Sequence, residues 1–139
     1  AFNLRRRIVT DSEGRYRARS IVPSGYGCPP TGTTQEVLDQ LGRHGNRPAH
    51  IHFFISAPGY RHLTTQINLA GDKYLWDDFA FATRDGLVAE VRFNSDPEAA
   101  KKLQVEPGFA EIEFDFQLQP AQAPEAEKPS QRPRVELSA

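Results

Sequence analysis

Hydrophobic and polar side chains alternate strictly over residues 110–118, which is the clearest pattern in the chain. Such alternation predicts a strand with one buried face, because successive side chains of a strand point to opposite sides of the sheet. The apolar positions are Ala110, Ile112, Phe114, Phe116 and Leu118, and the polar positions are Glu111, Glu113, Asp115 and Gln117.

Shorter apolar stretches predict five further strands, at residues 4–9, 16–22, 49–56, 63–69 and 87–93. The first two flank a turn sequence at residues 11–14 and are expected to pair as a hairpin. The next two are separated by Ala57-Pro58-Gly59-Tyr60, a strong turn signal, and are expected to form the centre of the sheet. The turn Arg84-Asp85-Gly86 introduces the last of the five.

Two short helices are predicted between the strands. The first, over residues 34–41, has an apolar stripe, a threonine that can cap its start and a glycine that can end it. The residues concerned are Val37, Leu38 and Leu41 for the stripe, Thr33 or Thr34 for the cap, and Gly42 or Gly45 for the end. Asp96-Pro97 opens the second helix.

Many strands with regular turns and only short helices indicate a mainly β protein. The expected architecture is an antiparallel β-sandwich with short helices and long loops. Residues 1–118 are expected to belong to one domain. Residues 119–139 are rich in proline, alanine and glutamate, which predicts an extended C-terminal tail.

The charge balance argues against two classes of partner. With 17 basic and 18 acidic residues among 139, the net charge is -1, so no strong general attraction to nucleic acid or to anionic membranes is expected. The single cysteine, Cys28, excludes an internal disulfide framework and fits a reducing compartment. No apolar run is long enough to cross a bilayer, and the predicted location is the cytoplasm.

His50 and His52 are the strongest candidates for chemistry in the chain. On an extended strand both side chains project to the same side, close enough to share one metal ion, while Ile51 faces the core. A His-x-His pair alone is weak evidence, since it often marks only two polar residues on a strand face. The context strengthens it, because Arg47-Pro48 stiffens the entry to the strand and Tyr26 lies in a glycine- and proline-rich loop.

The type of metal depends on whether Tyr26 is a ligand. Two neutral imidazoles suit zinc, copper, iron or nickel. A phenol has a pKa near ~10 and gives up its proton at neutral pH only to a strongly acidic ion. Ferric iron is the natural match for such a hard, anionic oxygen donor.

Six motifs carry a family resemblance that extends from Asn3 to about Leu118. They are Asn3-Leu4-Arg5-Arg6, Ser24-Gly25-Tyr26-Gly27-Cys28, Gly42-Arg43-His44-Gly45, Arg47-Pro48-Ala49-His50-Ile51-His52, Leu63-Thr64-Thr65-Gln66-Ile67-Asn68 and Asp77-Asp78-Phe79-Ala80. By these motifs the chain resembles the intradiol ring-cleaving dioxygenases, and most closely those that act on catechol.

The resemblance implies a β-sandwich that holds one non-haem ferric ion, Fe(3+), with two tyrosines and two histidines. Tyr26, His50 and His52 match three of these four ligands. The family's other tyrosine lies before the segment that begins here at Ala1, as does a helical region that makes much of the family's homodimer contact. We therefore expect the chain to be the C-terminal part of such a catalytic domain, with the N-terminal segment as the partner that carries the missing ligand.

For the complete enzyme, the resemblance implies intradiol cleavage of catechol by O2 to cis,cis-muconate, as part of the catabolism of aromatic hydrocarbons. Tyr26 is then displaced by the substrate and takes up a proton. Arg47 stabilises the negative charge that develops on the ring, and Gln66 holds Arg47 or the substrate by hydrogen bonds. The positions that match the family's substrate pocket are Cys28, Phe79 and Ala80.

Other interpretations of the same residues stay open. Without the histidine motif, Arg47 would be taken for a strand-end salt-bridge residue and Gln66 for a solvent-facing glutamine. A cupin-like metal site is disfavoured, because no glutamate occurs between Glu36 and Glu90. The alternative from a different class is a metal-free β-sandwich that serves binding or assembly.

Overall fold

A computed structural model describes residues 4–122 of the chain. The strands are β1 (Tyr26–Gly27), β2 (Asn46–Arg47), β3 (His50–Ile55), β4 (Leu63–Leu69), β5 (Val88–Ala89), β6 (Arg92–Asn94) and β7 (Phe109–Glu111), and the helices are α1 (Thr33–Gln40) and α2 (Pro97–Leu103). A single 3-10 turn, Asp85–Leu87, precedes β5. Over this part of the chain the protein is mainly β with few short helices, as predicted.

The centre of the fold is the antiparallel pair β3 and β4, to which β5 adds in parallel. The turn at residues 57–60 connects the pair: Gly59 has a φ of 78°, and the Tyr60 N–H donates to the Ala57 carbonyl at 3.2 Å. The register pairs Ile51 with Ile67, and Ile67 is almost fully buried. The prediction of these two strands and of their turn is confirmed.

Helix α1 begins one residue before the prediction and is not capped by a threonine. Its N-cap is Gly32, and no side chain accepts a hydrogen bond there. The predicted glycine end is correct, because Gly42 adopts a φ of 62° and the Arg43 N–H donates to the Leu38 carbonyl at 2.9 Å. Of the predicted stripe Val37, Leu38 and Leu41, only Leu38 is buried.

Helix α2 follows its sequence signals closely. The Asp96 side chain accepts a hydrogen bond from the Glu98 N–H at 3.0 Å, and Pro97 occupies the first helical position. Before it, the predicted strand over residues 87–93 is split into β5 and β6. Strand β5 pairs with β4, whereas β6 pairs with β7 in a separate sheet.

The predicted hairpin at residues 4–22 forms its turn but not its strands. Asp11 donates its N–H to the Arg15 carbonyl at 2.9 Å and accepts from the Glu13 and Arg15 N–H groups with its side chain. Residues 4–22 are all exposed. Without a buried face, nothing fixes a strand register on either side of the turn.

The strand predicted over residues 110–118 is also only partly formed. Exposure alternates as predicted from Glu111 to Leu118, but the ladder is confined to β7, which pairs with β6. Beyond it the Phe114 and Phe116 rings lie 5.0 Å apart, and the Tyr16 hydroxyl donates to the Phe114 carbonyl at 2.7 Å. Side-chain contacts thus hold this segment where strand pairing was expected.

Residues 1–3 and 123–139 lie outside the described residues, and with them most of the predicted C-terminal tail. Of that predicted tail, residues 119–122 are described: the Gln119 carbonyl accepts a hydrogen bond from the Arg61 N–H at 2.8 Å. None of the helices in residues 4–122 has the length and apolar character needed to span a membrane.

Candidate metal centre

Tyr26 is placed by the short ladder between β1 and β2. Tyr26 lies directly opposite Arg47, and Gly27 opposite Asn46. The approach of these strands requires a glycine before Tyr26, because a Cβ on Gly25 would lie 2.7 Å from the Arg47 carbonyl oxygen. The loop therefore delivers the phenol to the position where the chain turns into the histidine strand.

His50 and His52 lie on one face of β3, as the spacing predicts. Their ring centroids are 4.9 Å apart, and the Tyr26 ring centroid is 5.6 Å from that of His50. Within the described residues, no group of three or more His, Cys, Asp or Glu side chains gathers into a metal site. The donor set brought together here is instead two imidazoles and one phenol.

The strand opposite supplies the polar neighbours of the two histidines. The β3–β4 register pairs His52 with Gln66 and His50 with Asn68, so all four side chains belong to the same face of the sheet. Gln66 and Asn68 are buried, and the Gln66 Nε2 donates to the Asn68 Oδ1 at 2.7 Å. Gln66 is therefore a buried, hydrogen-bonded residue rather than a solvent-facing one.

A hydrogen bond to the backbone fixes the orientation of His50. Its Nδ1 lies 2.7 Å from the Pro48 carbonyl oxygen, which can only accept, so Nδ1 carries the proton. The lone pair of His50 is then on Nε2. An imidazole held in this way by a carbonyl is the usual arrangement for a metal-binding histidine.

Arg47 is buried at the centre of a hydrogen-bond network. Its Nε and Nη2 donate to the two carboxylate oxygens of Asp78, each at 3.1 Å, and Nη2 also donates to the Gln66 Oε1 at 3.0 Å. Its Nη1 lies 3.2 Å from the His50 Nε2. The guanidinium thus lies between the histidines and Asp78, with every nitrogen engaged.

The charges in this network act on two pKa values. The hydrogen bond to Asp78 raises the pKa of Arg47, against the effect of burial, and a hydrogen bond with Tyr26 raises it further. Partial burial, followed by electrostatic interactions with His50 and Arg47, lowers the pKa of His52. Arg47 therefore stays a cation, while His52 favours the neutral form that binds metal ions.

The three residues predicted for the substrate pocket are held by backbone N–H hydrogen bonds. The Cys28 N–H donates to the Gly45 carbonyl at 2.9 Å, and the Phe79 N–H donates to the Asn46 carbonyl at 3.2 Å. The Ala80 N–H donates to the Asp78 Oδ1 at 3.1 Å. Their hydrogen bonds thus go to β2 for Phe79, to the residue before β2 for Cys28, and to the partner of Arg47 for Ala80.

Three polar residues of this region were missed by the sequence reasoning. Asp78 and Asn68 are buried within the network, and Asp72 ties a loop to the histidine strand by accepting from the Ala49 N–H at 3.0 Å. Asp78 and Asn68 occur in motifs quoted for the resemblance, but no periodicity or spacing marks them as buried. His44, in contrast, pairs with the exposed Asp77 at 2.9 Å.

Comparison with known proteins decides the family. A family model described as a dioxygenase matches residues 1–120. The chain belongs to the intradiol dioxygenase family. This dioxygenase sequence is 64% identical over 118 residues to the catechol 1,2-dioxygenase of Acinetobacter baylyi, in an alignment that covers 85% of the chain and 38% of that protein.

Two solved structures of catechol 1,2-dioxygenases share the fold of this intradiol dioxygenase chain. The one from Acinetobacter sp. ADP1, inhibited by bound mercury, has a TM-score of 0.89 at 58% identity and covers 96% of the chain and 43% of that protein. The one from Pseudomonas arvilla C-1 has a TM-score of 0.86 at 71% identity, with 98% and 44% covered. The dioxygenase chain thus spans about two fifths of the length of these relatives.

Proposed function

We propose that the chain is the C-terminal catalytic part of a non-haem Fe(3+) enzyme that cleaves catechol between its two hydroxyl-bearing carbons, a catechol 1,2-dioxygenase. The observation that carries this proposal is the cluster of Tyr26, His50 and His52 around the cation of Arg47. Relatives with the name catechol 1,2-dioxygenase, at 59–64% identity, support the choice of substrate.

The residues present fit a ferric ion. His50 would turn the lone pair of Nε2 from Arg47 Nη1 to the ion, His52 favours its neutral form, and Tyr26 provides a hard oxygen donor. A bound ferric ion would supply two things: a site that chelates both oxygens of catechol, and an electron-withdrawing centre that makes the ring reactive toward O2. We propose that the fourth protein ligand is a tyrosine on an N-terminal segment of the full-length protein.

The overall reaction balances without a further reductant. The bond between the two oxygen-bearing carbons of catechol breaks, and both atoms of O2 enter the product. Catechol gives up four electrons and O2 accepts them, which yields cis,cis-muconate and two protons at neutral pH. The protein must therefore bind the diol, manage its protons and stabilise charge on the ring.

Three side chains perform these tasks in the proposed mechanism. Tyr26 would accept a proton from the bound diol. Arg47, fixed beside the histidines, stabilises negative charge on the ring, and its permanent charge makes the stabilisation independent of pH. Gln66 donates to Asn68 and accepts from Arg47, which keeps the guanidinium in place.

Several finer features belong to the same proposal. We propose that Cys28, Phe79 and Ala80 line the pocket for a flat aromatic diol. The full-length protein is proposed to complete the sheets into an antiparallel β-sandwich, to form a homodimer and to work in the cytoplasm. The family membership and the mainly β fold support this assignment.

The first experiment is the visible spectrum and iron content of the full-length protein, measured anaerobically with and without catechol. A red-brown band from phenolate bound to ferric iron, shifted by catechol, is the expected result. After air is admitted, one muconate should form per catechol consumed. A colourless, iron-free protein that ignores catechol would contradict the proposal and favour a metal-free role in binding or assembly.

A further inference from the structure

The two oxygens of Asp78 are saturated by four hydrogen bonds from two different parts of the chain. Oδ1 accepts from the Arg47 Nε and the Ala80 N–H, and Oδ2 accepts from the Arg47 Nη2 and the Ala82 N–H, all at 3.1 Å. Asp78 is 4% exposed and Arg47 8% exposed. Water therefore cannot take over either set of bonds.

One carboxylate consequently fixes two features of the candidate site. Through its two bonds to Arg47 it sets the plane and position of the guanidinium. Through the Ala80 and Ala82 N–H groups it shapes the turn at residues 78–82, which also carries Phe79. At its far end the same segment is held by Thr83, whose hydroxyl accepts from the Asn68 amide at 2.7 Å.

We propose that Asp78 is a positioning residue for the ring-cleavage reaction, acting through Arg47 and through the turn that presents Phe79 and Ala80. This inference rests on the proposed function. The four hydrogen bonds that Asp78 accepts come from Arg47, Ala80 and Ala82 and occupy both of its oxygens, so its contribution is the placement of other groups. Misplacement of a catalytic group by about 1 Å costs on the order of 100-fold in rate.

The substitution Asp78→Asn changes the hydrogen bonds that residue 78 can accept, with almost no change in the shape of its side chain. An asparagine keeps one acceptor oxygen but replaces the other with an NH2 group, which in either orientation would face two N–H donors, one from Arg47 and one from Ala80 or Ala82. The matched control is Asp77→Asn, at the neighbouring position. The Asp77 side chain is 77% exposed and pairs with His44.

The first measurement needs neither iron nor activity. In the metal-free, full-length protein, the Arg47 Nε–H signal in 15N NMR should be resolved and protected from exchange with water in the wild type and in Asp77→Asn. In Asp78→Asn the protection should fall by at least about tenfold, since the charge-assisted bonds are lost. Equal protection in Asp78→Asn and wild type would overturn the proposal.

The second measurement uses the iron-loaded protein. Asp78→Asn should lower kcat about 10- to 100-fold while KM changes less than about threefold and the phenolate band stays unchanged. In an Arg47→Lys background the same change should lower kcat by a smaller factor than in the wild type, because one of the two features that Asp78 positions is already altered. A folded Asp78→Asn protein with wild-type kcat, or with an effect fully additive to Arg47→Lys, would contradict the proposal.

If Asp78→Asn does not fold, Asp78→Glu takes its place in both measurements. Glutamate keeps the negative charge but displaces both sets of hydrogen bonds. Wild-type kcat and Arg47 protection in folded Asp78→Glu would also overturn the proposal. Failure of the proposed function can be distinguished from failure of this inference. In that case the wild type would lack the phenolate band and catechol turnover, while the NMR comparison would still show whether Asp78 fixes Arg47.

Discussion

Tyr26 and Arg47 are cross-strand partners in the two-residue ladder of β1 and β2. This pairing brings a phenol to a cation that also lies 3.2 Å from the His50 imidazole. The residues are 21 positions apart in the sequence, and helix α1 lies between them. A ladder of only two residue pairs therefore assembles the donor set of the candidate metal centre.

The ladder depends on a close approach at Gly25. A Cβ there would lie 2.7 Å from the Arg47 carbonyl oxygen and 3.0 Å from the Asp72 Oδ2, so Gly25→Ala must push β1 away. We expect a loss of about 1–3 kcal/mol in the free energy of unfolding and a weaker phenolate band, because Tyr26 moves with its strand. Urea denaturation and the visible spectrum measure the two effects.

The control for Gly25 is Gly86→Ala. An added Cβ at Gly86 meets nothing within 4 Å and its backbone is not left-handed, so stability should change by less than about 0.5 kcal/mol. If Gly25→Ala behaved like Gly86→Ala in both measurements, the close packing of β1 against Arg47 would have no role in placing Tyr26.

The proposed ligand set predicts which histidines iron binding requires. Each of His50→Ala and His52→Ala should reduce bound iron to less than about one tenth of the wild-type amount, because loss of a ligand costs more than the 10- to 100-fold loss typical of its hydrogen-bonding neighbours. His44→Ala and His62→Ala are the controls and should retain iron. Elemental analysis after gel filtration makes the comparison, and iron loss in the controls would place the metal elsewhere.

Arg47 can be tested separately from metal binding. Arg47→Lys keeps a positive charge, but a lysine side chain cannot make two hydrogen bonds to Asp78 together with a third to Gln66. We expect kcat/KM for catechol to fall about 100-fold with iron content and the visible band unchanged. Steady-state oxygen uptake measures the rate. Loss of iron in the same proportion as activity would show that Arg47 serves the metal site instead.

Part of this arrangement could be predicted from the sequence for physical reasons. The two-residue period of a strand is local, so the shared face of His50 and His52 follows from spacing alone once β3 is recognised, and the β3–β4 register adds Gln66 to that face. The turn between them and the cap of α2 are also local signals. These are the parts of the fold and of the site in which prediction and structure agree.

The rest depends on contacts between distant segments. Asp78 and Asn68 are as polar as any surface residue, and only partners 31 and 15 positions away explain their burial. The strands predicted over residues 4–9, 16–22 and 112–118 have suitable composition but no strand partner among residues 4–122. Alternation indicates a buried face, whereas a strand also needs a neighbour to pair with.

The pKa of Asp78 predicts a pH dependence of stability. Burial alone would raise it, but hydrogen bonds from Arg47 and from the Ala80 and Ala82 N–H groups outweigh burial and lower the pKa. The unfolded chain then binds the proton more readily than the folded one. The contribution of Asp78 is therefore fully present above its unfolded pKa of ~4 and is lost as the pH falls through the lower, folded value.

Asp78→Asn should remove this contribution. At pH 7 the free energy of unfolding should drop by about 3 kcal/mol, because a buried cation loses its partner, and the decline of stability below about pH 5 should become shallower than in the wild type. Asp77→Asn should cost less than about 1 kcal/mol, since its ion pair is exposed. Parallel acid profiles for wild type and Asp78→Asn would contradict the assignment.

Phe81 offers a test of the turn that Asp78 holds. It has a left-handed φ of 51°, its N–H donates to the Asp78 carbonyl at 2.9 Å, and its ring lies under the Arg43 guanidinium at 4.2 Å. A residue with a Cβ pays about 1–2 kcal/mol for this backbone conformation, whereas the extra flexibility of glycine costs only about 0.5–1 kcal/mol. Phe81→Gly should therefore be more stable than Phe81→Ala by about 0.5 kcal/mol, the reverse of the usual order. Both variants lose the ring contact equally, so the comparison isolates the backbone, and a more stable alanine variant in urea denaturation would mean that the turn relaxes to an ordinary φ.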